Sequence, residues 1–237
     1  MAAAEAGIAC AARELEALED DSPAAVHEKG RRYHEFRELH ADFRRLRQAC
    51  DLWTAAFFAK LEKSAPGAPE RIPTTDHVLR ALRNQPGVQG VMKTALELAH
   101  EHRFFHWPLE FAEVFASGRF DVALGNPPWE IQQFSESEFF TSTRPEISQL
   151  TGHRRKEAIK RLETEDPQLF ARYQTASMEL TRVRTFISGS GRYLQSGGGR
   201  TNMYAQFTGL GTMRVNRHSG SAGYLVSYSS RNLRYHK

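Results

Sequence analysis

Through the first hundred residues, hydrophobic side chains recur every three or four positions, which is the period of an amphipathic α-helix. The pattern predicts a helix over residues 1–19 and a much longer helix between about Ala24 and Lys63. The long helix would have one apolar stripe, formed by Phe36, Leu39, Phe43, Leu46, Cys50, Trp53, Phe57 and Leu61. Its other face is rich in arginine, but the acidic residues between the arginines favour a solvated surface over a DNA contact.

Turn-forming residues divide the rest of this helical region into shorter elements. Residues 64–69 predict a linker, and Thr74 predicts the N-cap of a short helix that ends at Leu82. A further helix is expected from Val88 to about His102. Three histidines near its end have no second cluster of metal-type ligands beside them, so capping or packing is favoured over a metal site; they are His100, His102 and His106.

The pattern changes at Phe120, where an almost uninterrupted apolar run continues to Leu124. Such a run is typical of a strand that is buried on both faces of a parallel sheet. The strand is followed directly by Asn126, Pro127, Pro128 and Trp129, which we call the tetrad. Because ligands collect beyond the carboxyl ends of parallel strands, the tetrad is a candidate binding site.

Beyond the tetrad, residues 147–185 have a strongly charged helical pattern, and residues 222–228 predict a further strand. Two Gly- and Ser-rich runs, at residues 188–191 and 196–199, lack the preceding strand and the Lys-Ser/Thr ending of a phosphate loop. They are therefore predicted to be flexible loops.

Composition indicates a globular protein, with 40% hydrophobic and 25% charged residues among 237. The two cysteines have neither metal nor disulfide spacing, no run approaches the length of a membrane span, and no signal peptide is recognisable, so the cytoplasm is expected. Thr181 to Lys237 contains eight arginines, one lysine and no acidic residue. This segment is either a phosphate-binding surface or a solvated tail.

The tetrad has the chemistry needed to hold an aromatic amine such as N6 of adenine, whose lone pair is delocalised into the ring. The Asn126 side-chain oxygen and the Pro127 carbonyl would each accept one amine proton, and the two prolines keep the segment stiff. Trp129 would stack on a base that has left the duplex. Alternatively, the same residues simply end a buried strand in a turn.

In order along the chain, Phe105-His106-Trp107-Pro108-Leu109-Glu110-Phe111, then Phe120-Asp121, then Gly125 and the tetrad resemble the N6-adenine DNA methyltransferases of restriction-modification and phage-defence systems. The Eco57I-type methylases are the closest likeness. The resemblance implies that the tetrad is catalytic and that double-stranded DNA and S-adenosylmethionine are bound. It also implies that Glu110 and Phe111, at the end of the preceding strand, hold the adenine of the cofactor. Alternatively, Glu110 is solvated and Phe111 is a core side chain.

The implied fold class is α/β: a partial class I S-adenosylmethionine-dependent methyltransferase (Rossmann-like) sheet preceded by a helical region. Residues 1–103 would form the mainly helical region, and residues 104–237 a partial catalytic domain with a helical insertion at about 147–185. Relatives hold the methionine part of the cofactor with a Gly-rich loop after their first strand, and this pattern is missing here. We therefore expect a piece of a larger methyltransferase, inactive alone and completed by missing parts or by a restriction or defence subunit.

Two hypotheses from different classes remain. The chain is part of an adenine-N6 DNA methyltransferase, or it is a non-enzymatic helical interaction or regulatory module in which the tetrad is idle. A nuclease is disfavoured, because no Glu has Lys two residues further on. Hydride transfer and nucleotide hydrolysis lack their phosphate loops.

Overall fold

The structure is a computed structural model, which describes residues 2–60, 72–129, 133–193 and 202–225. These residues form helices and two short strands. The helices are α1 (Ala2–Glu16), α2 (Pro23–Leu39), α3 (Ala41–Phe58), α4 (Thr75–Leu82), α5 (Gln89–Glu101), α6 (Trp107–Glu110), α7 (Ala112–Ala116), α8 (Glu136–Thr141), α9 (Pro145–Gln149), α10 (Gly152–Glu165), α11 (Pro167–Gly189) and α12 (Met203–Arg214). The strands are β1 (Val122–Gly125) and β2 (Ser221–Tyr224).

The single long helix predicted between about Ala24 and Lys63 is wrong, because the chain breaks at His40 into α2 and α3. His40 has an extended backbone, with ψ of 110°, and its ring nitrogen Nδ1 accepts the Phe43 N–H at 3.3 Å. A side chain that caps a helix end satisfies a donor with no partner inside the helix, which stabilises the break. Hydrophobic periodicity continued across the break and concealed it.

Contacts divide the chain into two compact units, residues 1–124 with 211–223 and residues 125–210 with 224–237. In the first unit, α3 packs against α1, α4 and α5. One cluster of buried residues includes Ile8, Phe43 and Leu46, and a second includes Leu52 and Ala95. Helix α4 is capped at Thr74 as predicted, and α5 occupies the predicted residues.

The core of the second unit lies among α8, α9, α10 and α11 and contains Phe140, Ile147, Ile159, Leu162 and Leu169. Residues 147–185, which were expected to form helices, lie in α9, α10 and α11 apart from short breaks at 150–151 and 166. The Gly- and Ser-rich run at 188–191 begins inside α11 rather than in a loop, because α11 continues to Gly189. The division of the sequence at residue 104 and the status of the helices as an insertion stay predictions.

Strands β1 and β2 form a two-stranded parallel sheet, preceded by a parallel bridge between Phe120 and Val215. The strand was predicted at this place in the chain, but the prediction that both of its faces are buried is wrong. Val122 is 55% exposed and Leu124 is 80% exposed. A strand with one neighbour and no covering layer leaves its faces in solvent. Among the described residues the molecule is mostly helical, and the further strands of a Rossmann-like sheet are not present in them.

Some predicted segments lie outside the described residues: the linker at 64–69, Glu130, the Gly-rich run at 196–199 and the last positions of the second strand, 226–228. Within the part of the chain that the structure describes, no helix is both long enough and apolar enough to cross a membrane.

Candidate functional site

The tetrad lies immediately after β1, at its carboxyl end, as the strand pattern predicted. The register of this end is fixed by the Leu225 N–H, which donates to the Gly125 carbonyl at 3.1 Å. A Cβ added at Gly125 would lie 3.5 Å from the Tyr224 ring, so the two strand ends are closely apposed. Backbone pairing therefore delivers Asn126 from a defined position.

The four residues of the tetrad line one shallow surface depression of about 480 Å³. Pro127 is buried and anchors the segment, whereas Asn126, Pro128 and Trp129 are exposed. Trp129 Nε1 donates to the Leu225 carbonyl at 3.4 Å, and 55% of the residue remains accessible. The indole is thus tethered by its polar atom while most of its apolar surface stays available for stacking.

The Asn126 side chain makes no hydrogen bond with the described residues, so its oxygen is available as an acceptor. The two prolines lack an N–H, which leaves this segment with carbonyl acceptors and no competing backbone donors at positions 127 and 128. The arrangement suits a ligand that donates two hydrogen bonds beside a flat face.

Glu110 is the last residue of α6 and Phe111 follows it, so the expected strand end at these positions is wrong. The Pro-containing sequence of α6 forms one helical turn, because proline is well suited to a first turn. Glu110 is not solvated either, since its side chain is 11% exposed. Its Oε2 accepts from Arg37 Nη1 at 2.5 Å and from the Tyr33 hydroxyl at 3.2 Å.

Arg37 was expected on a solvated face, but it is tied into this network. Burial by itself would lower the pKa of the Arg37 guanidinium. The hydrogen bond to Tyr33 and the charge of Glu110 outweigh the effect of burial, so the pKa is raised. The guanidinium therefore stays charged and orients the Glu110 carboxylate. Both Arg37 and Tyr33 bind Oε2, and Oε1 has no hydrogen-bond partner among the described residues.

Glu110 and Phe111 line a groove of about 550 Å³ in the first unit, walled by α1, α2 and α3. Phe111 stacks against Trp107, with ring centroids 5.4 Å apart, and meets Phe120 edge-on. The charged side chains that line the groove are Glu16, Asp20, Lys29, Glu110 and Glu113. Lys29 pairs with Asp20 and Arg37 pairs with Glu110, which leaves Glu16 and Glu113 as the unbalanced charges. The groove therefore keeps a net negative charge, which favours a cationic ligand that has an apolar ring.

The structure brings the four residues of the tetrad together with Leu225 in the second unit, and Glu110 and Phe111 together with Tyr33 and Arg37 in the first. Tyr33, Arg37 and Leu225 were missed by the sequence analysis. Arg37 and Glu110 are 73 positions apart, so no local pattern pairs them.

Two of the three histidines, His102 and His106, pack within the first unit, whereas His100 is exposed. His106 Nε2 lies 2.7 Å from Asp51 Oδ1 in the core of the first unit, and the His102 ring packs 4.6 Å from that of Phe58. Among the described residues, no group of three or more His, Cys, Asp or Glu side chains is arranged to hold a metal ion.

Residues 49–188 match the family described as Eco57I restriction-modification methylase. The matched segment is more than half of the chain, and it contains Glu110, Phe111 and the whole tetrad. No curated protein and no solved structure matches the chain significantly.

Proposed function

The chain belongs to the Eco57I restriction-modification methylase family, which makes it a DNA methyltransferase protein, and we propose that it serves transfer of a methyl group from S-adenosylmethionine to N6 of adenine in DNA. The observation that carries the proposal is the tetrad at the carboxyl end of a parallel strand, with an exposed and tethered Trp129. The biological setting is restriction-modification or phage defence, in which methylation marks the host DNA.

In this proposal, the tetrad holds an adenine that has been flipped out of the duplex. The base stacks on Trp129, which replaces part of the stacking lost on extrusion. Asn126 Oδ1 and the Pro127 carbonyl oxygen accept the two N6 protons, and this draws the nitrogen lone pair out of conjugation with the ring. The stiff, buried Pro127 keeps these acceptors in place before the base arrives, so little reorganisation is needed.

Glu110 and Phe111 would hold the adenosine part of S-adenosylmethionine, and the groove around them fits that group. The free Oε1 of Glu110 can accept from the cofactor's adenine amine, and Phe111 offers an aromatic face. The excess of acidic side chains in the groove suits a cofactor with a sulfonium and an ammonium group. When bound, the cofactor supplies an electrophilic methyl group.

The base-binding role of the tetrad is tested with a single-stranded oligonucleotide that contains 2-aminopurine, a fluorescent adenine analogue. Because base–aromatic stacking contributes about 1–3 kcal/mol, we expect Trp129→Ala to weaken binding about 5- to 150-fold, and Trp129→Phe to retain most of it. Phe207→Ala is the matched control, since Phe207 is an exposed aromatic of the same unit outside the depression. Equal affinities for the Trp129→Ala and Phe207→Ala variants would rule out this role.

The cofactor role is tested by equilibrium binding of S-adenosylmethionine. We expect Glu110→Gln to weaken binding about tenfold, because a charge-assisted hydrogen bond is lost. Glu113→Gln is the control, since Glu113 lines the same groove and its loss changes the charge by the same amount. The absence of any cofactor binding would instead support the idle, non-enzymatic module.

We also propose that the chain alone transfers no methyl group. The described parallel sheet has two strands, and no sequence pattern for the Gly-rich cofactor loop occurs in the chain. Parts of a larger methyltransferase or another subunit would then complete the site. Incorporation of labelled methyl groups into DNA by the purified chain would contradict this proposal.

A further inference from the structure

A second concave site lies within the second unit, between α8 and the facing sides of α10 and α11. This cleft has a volume of about 540 Å³. Its polar lining consists largely of hydroxyl and guanidinium groups, from Ser135, Ser137, Arg155, Ser177, Thr181 and Arg184. We call it the arginine cleft.

The Arg155 guanidinium is held in place by one hydrogen bond, although another of its N–H donors has no acceptor among the described residues. Its Nη2 donates to the Ser148 carbonyl at 2.9 Å, which fixes the guanidinium against α9. Its Nε is buried and has no hydrogen-bond partner among the described residues. Because this atom has almost no accessible surface, Arg155 contributes its positive charge to the cleft rather than this particular donor.

Arg184 presents a second cation on the same wall. Ser177, Thr181 and Arg184 are four and three residues apart on α11, so they share one helix face. The Arg184 guanidinium is exposed and makes no hydrogen bond or ion pair with the described residues. The Thr181 hydroxyl donates to the Ser177 carbonyl at 2.9 Å, which orients it along the wall.

The acidic residue of the lining, Glu136, is already engaged. Its carboxylate accepts the Tyr173 hydroxyl at 2.9 Å, and burial together with this contact raises the pKa of Tyr173 to about 12. Two arginines against one glutamate leave the cleft with a net positive charge. Guanidinium groups at an open cleft match the oxygens of a phosphate group, whereas the Thr181 hydroxyl proton is already used within α11.

The arginine cleft is near the tetrad along the chain. Gln133 lines the cleft and follows Trp129 by four residues, which span at most about 14 Å. One strand of B-DNA advances about 3.4 Å per nucleotide, so a strand that leaves a base at Trp129 has phosphates within this distance. We propose that the arginine cleft binds a backbone phosphodiester of the DNA strand whose adenine the tetrad holds. This inference rests on the proposed function.

The test measures the affinity of the full chain for a fluorescent single-stranded oligonucleotide as a function of salt concentration. Arg155→Gln and Arg184→Gln are each expected to weaken binding about five- to tenfold at low salt, and to lower the slope of log affinity against log salt by about 0.7. The matched controls are Arg154→Gln on α10 and Arg182→Gln on α11, neither of which lines the cleft. Cleft variants that behave like these controls would overturn the proposal.

Two further arms keep the result unambiguous. Arg184 is exposed, so its variant should keep the wild-type unfolding midpoint even if Arg155→Gln loses stability through Ser148. Inorganic phosphate at millimolar concentration should displace the oligonucleotide only weakly; complete displacement would assign the cleft to free phosphate and overturn the proposal.

An oligonucleotide that is abasic at every position separates this inference from the proposed function. It leaves the tetrad nothing to stack on but keeps every phosphate, so the effects of the arginine variants should persist. If Trp129→Ala does not change the affinity for the 2-aminopurine oligonucleotide while the arginine variants still weaken binding, the proposed function is contradicted and phosphate binding by the cleft is supported. The opposite pattern removes the cleft and leaves the proposed function intact.

Discussion

At the scale of single residues, Asp51 and His106 form a deeply buried polar pair in the first unit. Their side chains are 3% and 4% exposed, and His106 Nε2 lies 2.7 Å from Asp51 Oδ1. His106 also precedes α6, the turn that ends at Glu110. The pair therefore links the core of α3 to the segment that presents the candidate cofactor-binding residues.

We predict that Asp51→Leu lowers the free energy of unfolding by about 2–4 kcal/mol, because the His106 ring is left buried without its partner. Replacing both residues, as Asp51→Leu with His106→Phe, should be less damaging than the sum of the two single changes. Urea denaturation of the four proteins measures this coupling. Strictly additive effects would show that the contact contributes nothing of its own.

At the scale of secondary structure elements, the amino-terminal end of α11 is stabilised by its N-cap residue, Asp166. Asp166 accepts the Leu169 N–H and so caps the helix, and it also pairs with Arg144 at 3.0 Å. The pKa of the Asp166 carboxyl is lowered, most strongly by the hydrogen bond from the Leu169 N–H and next by the hydrogen bond from Arg144. Because α11 forms one wall of the arginine cleft, this cap bears on the candidate phosphate site.

A carboxyl whose pKa is depressed in the folded state stabilises the protein above its ordinary pKa of about 3.9. We therefore predict that Asp166→Ala destabilises α11 at pH 6, and that its difference from the wild type shrinks as the pH falls below about 4. Amide hydrogen exchange of α11 peptides at several pH values measures this. Asp166→Asn is the control: it keeps a capping side chain but should lose the pH dependence. A difference that stays constant down to pH 2 would contradict the assignment.

Strand β1 is the element whose surroundings differ most from the expectation, since Leu124 is 80% exposed. An exposed apolar strand in a two-stranded sheet is a template for association with other chains. We predict that Leu124→Lys slows aggregation, measured by light scattering, without lowering the unfolding midpoint. Leu96→Lys, at an exposed leucine of helix α5, should have no such effect. Equal effects of the two changes would indicate general solubility rather than strand pairing.

At the scale of the whole molecule, the described hydrophobic clusters are separate, with Leu52 in a cluster of the first unit and Phe140 in the cluster of the second. Each of these side chains is fully buried. A core that is local to one unit stabilises that unit alone.

We predict that Phe140→Ala lowers the stability of the second unit by about 3–5 kcal/mol, and that Leu52→Ala lowers that of the first by about 2–5 kcal/mol. Hydrogen exchange should accelerate in α8–α11 for the first variant and in α3–α5 for the second. Simultaneous loss of protection in both sets of helices for either variant would show that the chain unfolds as one unit.

Local order along the chain was sufficient to predict helices α4 and α5, a strand at Phe120–Leu124 and the tetrad at its carboxyl end. The structure has this strand at Val122–Gly125. Periodicity, capping residues and the stiffness of two prolines are all properties of neighbours in sequence, so the sequence alone contains them. The resemblance of this segment to Eco57I-type methylases is confirmed by the family match over residues 49–188.

What depends on distant residues was decided only by the tertiary structure. The break at His40, the exposure of β1, the capture of Glu110 by Arg37 and the tether of Trp129 to Leu225 all follow from which elements pack together. Burial and ion pairing depend on separation in space, and the two residues of the Arg37–Glu110 pair are 73 positions apart in the chain. The sequence by itself therefore determined the composition of the tetrad and its place after a strand. The packing determined which residues surround the tetrad and Glu110.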